Sequence, residues 1–115
     1  MNTTAPGRRR LCAAAALAAL AALGGAPALA AVVDVDIRGT QYVPAELTVK
    51  VGTTVRWTNN ERRTSHSVLF TGEGGFESPR FFPGESWEHR FDKPGRYPYT
   101  CGPHPEMKGV VVVTD

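Results

Sequence analysis

Beyond its first thirty residues the sequence lacks helical periodicity, long apolar runs and any pair of cysteines. No window there repeats its apolar residues every 3.6 positions, so an amphipathic helix is not expected. No apolar run there is long enough to cross a bilayer. The chain has two cysteines, Cys12 and Cys101, and only the second lies in this part. We therefore expect neither a helical domain, nor a membrane span, nor an internal disulfide in residues 31–115.

Residues 1–30 have the three-part layout of a cleaved secretory signal peptide. A polar segment with Arg8, Arg9 and Arg10 precedes an alanine- and leucine-rich run, and residues 28–30 form a small-x-small cleavage site. The arginines followed by leucine also loosely resemble a twin-arginine signal, although the general secretory route is favoured. We predict export to the periplasm and one mature domain over residues 31–115.

Removal of residues 1–30 changes the charge of the chain. Three of its 13 lysines and arginines precede residue 31, so 10 basic residues face 11 acidic ones in the mature chain. A basic footprint for nucleic acid is therefore absent, and so is a polybasic patch for a membrane surface. Cys101 becomes solitary, and a lone cysteine in an oxidising compartment is paired with another chain, reactive, or held as a metal ligand.

Apolar residues from Val32 onward recur at every second position, which is the period of a β-strand. Val33, Val35 and Ile37, for example, alternate with charged residues. About seven such runs, separated by turn residues, predict an all-β protein with an antiparallel sandwich or barrel. Segment 71–84, TGEGGFESPRFFPG, is rich in glycine and proline and is expected to be an irregular connection.

The stretch CGPHPEM places a thiolate, an imidazole and a thioether three residues apart, at Cys101, His104 and Met107. Thiolate and thioether are soft donors, and together with imidazole they suit copper in both oxidation states. Zinc is the rival, but methionine is a poor zinc ligand and too few Cys and His residues remain for a structural zinc site. Haem attachment would need a Cys-x-x-Cys-His motif, which the chain lacks.

Three donors on one loop need a second histidine to complete a blue-copper set. His66 lies 35 positions before Cys101, just ahead of a short strand, and can approach from a neighbouring strand. Two histidines and a cysteine with a weak axial methionine form the trigonal set of such a centre. The other histidine, His89, shares strand parity with Trp87 and Phe91. A histidine in that position is more often structural, so we leave it out of the predicted site.

The segment CGPHPEM, preceded by PGRYPYT, resembles the C-terminal copper loop of the cupredoxins, the blue type 1 copper proteins. Its Cys-x-x-His-x-x-Met spacing, with a proline on each side of the histidine, is most similar to that of the amicyanins, since plastocyanins and pseudoazurins have a longer gap before the methionine. Upstream, VRWTNNERRTSHSV resembles the family segment that carries the first histidine. The resemblance implies a Greek-key β-sandwich or barrel of seven to eight strands, with one type 1 copper held by His66, Cys101, His104 and Met107.

The resemblance also implies a function, that of a one-electron carrier without substrate turnover, which shuttles electrons in the periplasm as a monomer. A quinoprotein dehydrogenase is the implied donor, and a c-type cytochrome is the implied acceptor. The alternative is a copper chaperone or storage protein, although such proteins favour open, methionine- or cysteine-rich sites. Arg62 and Arg63 are candidates for a basic rim that steers an acidic partner, against the simpler reading of a solvated loop.

Two details of the sequence concern the surroundings of the predicted ligands. The family commonly has an asparagine directly after the first histidine, where this chain has Ser67. We therefore expect Asn59 or Asn60 to tie the two ligand loops together, unless they are ordinary turn residues. Pro103 has no amide hydrogen, so it cannot donate a hydrogen bond to the sulfur of Cys101.

Overall fold

Eight β-strands make up the regular structure of residues 31–115, the residues that this computed structural model describes. The predicted signal peptide, residues 1–30, lies outside them. In the described part no helix is long and apolar enough to cross a membrane. The strands, in chain order, are β1 (Val32–Arg38), β2 (Gln41–Val43), β3 (Glu46–Lys50), β4 (Thr54–Asn59), β5 (Leu69–Phe70), β6 (Ser86–Arg90), β7 (Gly95–Thr100) and β8 (Lys108–Thr114).

The strands form two four-stranded sheets, ordered β2-β1-β4-β6 and β3-β8-β7-β5. The predicted sandwich is confirmed, but its pairing is mixed, not purely antiparallel. Strand β1 lies parallel to β4, and β3 lies parallel to β8. Parallel neighbours need a crossover connection, and between β1 and β4 it is supplied by β3, which belongs to the other sheet.

Inward-facing residues of both sheets form one core, as the alternation predicts. Val35 and Ile37 of β1 are completely buried, and Trp57 of β4 lies at the centre of an aromatic cluster. The indole nitrogen of Trp57 donates a hydrogen bond to the hydroxyl of Tyr99 at 3.1 Å, so the polar atoms of both rings are paired inside the core. Cys101 and Met107 belong to the same buried cluster, so the core reaches the loop that carries these two predicted ligands.

Segment 71–84 is irregular, as predicted, but it is not loose. It turns back at Gly75, where a Cβ atom would lie 2.0 Å from the carbonyl oxygen of Phe70, so only glycine fits. Its second half then runs antiparallel to residues 66–69, with Glu77 opposite Leu69. This pairing gives the chain around His66 a backbone partner.

Candidate metal centre

Two loops bring the predicted ligands together. His66 lies between β4 and β5, where its amide donates to the carbonyl of Phe81 at 3.1 Å and its own carbonyl accepts from Phe81 at 3.0 Å. Cys101 directly follows β7, and His104 and Met107 lie between β7 and β8. Three backbone hydrogen bonds close this second loop, from Cys101 to Met107, from His104 to Cys101 and from Met107 to His104. The predicted ligands therefore stand on hydrogen-bonded backbone.

Three of the predicted ligands converge on one point. The Sγ atom of Cys101 lies 3.6 Å from Nδ1 of His66 and 3.6 Å from Nδ1 of His104. All three donor atoms lie within 4.8 Å of one another. An ion about 2.0 Å from each nitrogen and about 2.3 Å from the sulfur would hold nitrogen and sulfur about 3.6–3.8 Å apart at near-trigonal angles. The spacing therefore fits one metal ion held by a thiolate and two imidazoles.

The four residues differ in their access to water. His66 and Cys101 are completely buried and Met107 is 3% exposed, whereas His104 is only half-buried. A buried thiolate needs a positive partner to offset the loss of its hydration, and a metal ion provides one. His104 is the one member of the set whose ring has substantial contact with solvent.

The electrostatics of His66 favour its neutral form. Burial lowers the pKa of His66 below its ordinary value, and the charge of His104 acts in the same direction. Glu61 opposes both, because its Oε1 atom lies 3.5 Å from Nε2 of His66. Nε2 has no hydrogen-bond partner among the described atoms, so this carboxylate is the polar group that faces it. A proton on Nε2 points toward Glu61 and leaves Nδ1 free to bind a metal.

One residue, Ser67, ties the two ligand loops together. It is completely buried, its amide donates to the sulfur of Cys101 at 3.4 Å, and its hydroxyl accepts a hydrogen bond from the amide of Gly102 at 2.9 Å. Its carbonyl accepts from the hydroxyl of Tyr42 at 2.7 Å. Burial, followed by the charge of Cys101, raises the pKa of Tyr42, so this phenol remains a donor.

The expectation that Asn59 or Asn60 joins the ligand loops is wrong. Asn59 is completely buried, and its amide donates to the carbonyls of Thr64 at 2.8 Å and Phe81 at 3.1 Å. Its Oδ1 atom accepts from the amide of Glu61 at 2.9 Å. Asn60 is exposed, and its amide donates to a carboxylate of β1. Asn59 therefore shapes the first ligand loop from inside and does not reach the second.

His89 lies apart from the three converging donors. Its ring stacks on Trp87, with centroids 5.7 Å apart and an angle of 11° between the planes, and it meets Phe91 edge-on at 4.8 Å. Burial lowers its pKa. The residue is part of an aromatic cluster at the side of the sandwich, where it packs as an apolar ring.

Three acidic or hydroxyl residues beside the ligands were not expected from the sequence, namely Glu61, Ser67 and Glu77. Ser67 directly follows His66, and a polar residue next to a buried predicted ligand is a usable signal because it needs a partner. Glu61 lies five residues before His66 on the same loop. Glu77 accepts a hydrogen bond from the hydroxyl of Ser67 at 2.7 Å. It left no signal, since it lies in the irregular segment 71–84.

The sequence matches a family of copper proteins over nearly the whole described part. Residues 29–114 match the family described as copper binding proteins, plastocyanin/azurin family. Amicyanin-alpha of Methylorubrum extorquens is 38% identical over an alignment of 105 residues, and the match covers 88% of this chain and 86% of that protein. Amicyanin of Paracoccus denitrificans is 41% identical over an alignment of 83 residues, and the match covers 69% of this chain and 63% of that protein.

Solved structures give the same assignment. A reduced point mutant of amicyanin superimposes with a TM-score of 0.69 at 35% identity, over 76% of this chain and 86% of that one. A copper-containing nitrite reductase from Thermus scotoductus reaches a TM-score of 0.69 at 31% identity, over 82% of this chain but only 26% of that one. Both comparisons agree with the resemblance and with the donor set, which fits a single type 1 copper ion. The chain belongs to the plastocyanin/azurin family of copper-binding proteins.

Proposed function

We propose that this chain is a periplasmic, one-electron carrier with a blue copper centre whose ligands are His66, Cys101, His104 and Met107. The observation that carries the proposal is the convergence of the cysteine sulfur and two histidine Nδ1 atoms, each 3.6 Å from the sulfur, in a member of a copper-binding family. Copper, when bound, would supply a Cu(I)/Cu(II) couple for one-electron transfer. The signal-like residues 1–30 support export.

The structure of the ligand loop should change little when a bound copper ion gains or loses an electron. Pro103 and Pro105 fix two φ angles on either side of His104. The amide of Cys101 donates a hydrogen bond to the carbonyl of Met107, which closes the loop at its two ends, and the amide of His104 donates to the carbonyl of Cys101 within it. The sulfur receives one amide hydrogen bond from the described residues, and Pro103 has no amide hydrogen to add a second. Donor atoms held in place in this way keep the reorganisation that accompanies electron transfer small.

In this proposal electrons pass between the copper site and a redox partner through His104. It is the half-buried ligand, and its two flanking prolines offer a small apolar surface for brief docking. Arg62 and Arg63, on the loop before His66, are exposed and form no ion pair within residues 31–115. They would steer an acidic partner toward the site. A quinoprotein dehydrogenase as donor, a c-type cytochrome as acceptor and a monomeric carrier complete the proposal.

Two other functions fit the site less well. A copper chaperone or storage protein needs an exchangeable site, whereas here the thiolate and one imidazole are completely buried. An enzyme with a second copper would need further histidines. The chain has three, and His89 lies against aromatic rings away from the others.

The test is a copper titration of the chain from residue 31 to 115, followed by visible absorption and EPR spectroscopy. We expect an intense red-region charge-transfer band at one copper per chain, bleached reversibly by ascorbate. Cys101→Ser should abolish the band, because the thiolate is its source. His89→Phe is the matched control, and it should keep the band because His89 is not among the converging donors.

Two other outcomes of the copper titration would contradict the proposal. A protein that binds Cu(I) tightly, stays colourless with Cu(II) and releases its metal readily to a chelator would contradict the carrier function and favour copper handling. A band that survives in Cys101→Ser would contradict the ligand assignment.

A further inference from the structure

Glu77 lies beside the ligand loops although it belongs to the irregular segment 71–84. Its backbone is paired with Leu69, and the next residue, Ser78, donates its amide to the carbonyl of Val68 at 2.9 Å. The hydroxyl of Ser78 in turn accepts a hydrogen bond from the amide of Val68 at 2.9 Å. These contacts fix the chain at position 77 alongside the strand that follows His66, so the Glu77 side chain is presented to that strand.

A chain of two hydrogen bonds joins Glu77 to the second ligand loop. The hydroxyl of Ser67 donates to Oε2 of Glu77 at 2.7 Å and accepts from the amide of Gly102 at 2.9 Å. An ionised carboxylate can only accept and an amide can only donate, so the two neighbours fix the direction of the hydroxyl. Hydrogen bonds to a charged group are also stronger than neutral ones.

Gly102 is shaped to receive this carboxylate. A Cβ atom at position 102 would lie 2.0 Å from Oε2 of Glu77 and 3.0 Å from the hydroxyl oxygen of Ser67. The Glu77 carboxylate therefore occupies the space that a side chain on residue 102 would need. Glu77, Ser67 and the glycine after the cysteine fit one another as a set.

We propose that Glu77 is a positioning residue of the metal centre, which acts through Ser67 to lock the loop of Cys101 against the strand that follows His66. This inference rests on the proposed function. The lock slows opening of the two loops, and it places a negative charge beside the ligands. Negative charge favours the more positive oxidation state of a bound metal, so Glu77 lowers the reduction potential of the site.

The test measures hydrogen exchange of the Gly102 amide by NMR, in the metal-free and the Cu(I) protein, together with the reduction potential. We expect Glu77→Ala to speed exchange at Gly102 by about tenfold to a hundredfold, the loss of one charge-assisted hydrogen bond. In a Ser67→Ala background the same change should add nothing, because the chain is already broken. Glu77→Gln should raise the potential. Glu73→Gln, an exposed acid of the same segment that makes no ion pair in residues 31–115, should leave it unchanged.

A second variant tests the fit without touching Glu77. Gly102→Ala should displace the Glu77 carboxylate and, like Glu77→Ala, raise the reduction potential. The double variant should have the same potential as Glu77→Ala alone. Unchanged exchange at Gly102 in Glu77→Ala, or equal potentials in Glu77→Gln and wild type, would overturn the proposal. If the wild type formed no blue centre, the proposed function would fail, while exchange in the metal-free protein would still decide whether the lock exists.

Discussion

Replacement of Asn59 by alanine should destabilise the protein much more than the same change at the adjacent Asn60. The Asn59 side chain is completely buried and makes three hydrogen bonds to loop backbone. Alanine removes the hydrogen-bond partner of the Thr64 carbonyl and that of the Glu61 amide. The Phe81 carbonyl keeps its hydrogen bond from the amide of His66. An unsatisfied buried group costs about 1–3 kcal/mol, and because both groups are only partly buried we expect about 2–4 kcal/mol in total.

Urea denaturation of the metal-free chain measures this difference in unfolding free energy. For a domain of this size the loss corresponds to a fall in Tm of about 8–30 °C. Asn60→Ala is the control, since its amide is exposed and its loss should change stability by about 0.5 kcal/mol or less. Equal stability of the two variants would refute the reasoning, because it would mean that water replaces the buried amide at no cost.

Two further predictions concern the core and the aromatic cluster. Gly109→Ala should cost about 1–3 kcal/mol, because its Cβ would lie 2.4 Å from the ring of the buried Tyr99, while Gly72→Ala, with open space around it, should cost far less in the same urea experiment. Burial holds the pKa of His89 below its ordinary value of 6.5, so below that pH the unfolded chain binds more protons than the folded one. The wild type should therefore lose stability relative to His89→Phe as the pH falls from 6.5 to the folded-state pKa. Parallel urea midpoints of the two proteins across that range would contradict the prediction.

The alternation of apolar residues predicts the strands and their buried faces, but it does not predict the whole fold. The alternation around Val35 and Ile37 identified β1 and its buried face, because a strand places every second side chain inward. Strand β2, with only Gln41–Val43, is too short to show a period and was not predicted. Alternation also says nothing about which strands become neighbours, and so the two parallel pairings were missed.

Part of the candidate site could also be predicted from the sequence, and part could not. The spacing of Cys101, His104 and Met107 is local, so the sequence shows it directly. The residues that contact this loop from elsewhere depend on which segments become neighbours in the folded chain. Ser67 and Glu77 come close to it only through tertiary packing. For the asparagines a usable signal did exist. Asn59 has the same parity as the buried Trp57 and therefore faces inward, where its amide serves its own loop.

The position of β8 has a consequence for the order in which the molecule can be made. This strand is the last of the eight along the chain, yet it lies inside its sheet, paired over five residues with β3 and over six with β7. A nascent chain that ends before β8 leaves a gap between those two strands, and closing it joins segments far apart in sequence, which is a slow step. The loop from β7 to β8 reaches its final form in that same step. We therefore expect the metal centre to be absent from every incomplete chain, and to be completed only when the final strand enters the sheet.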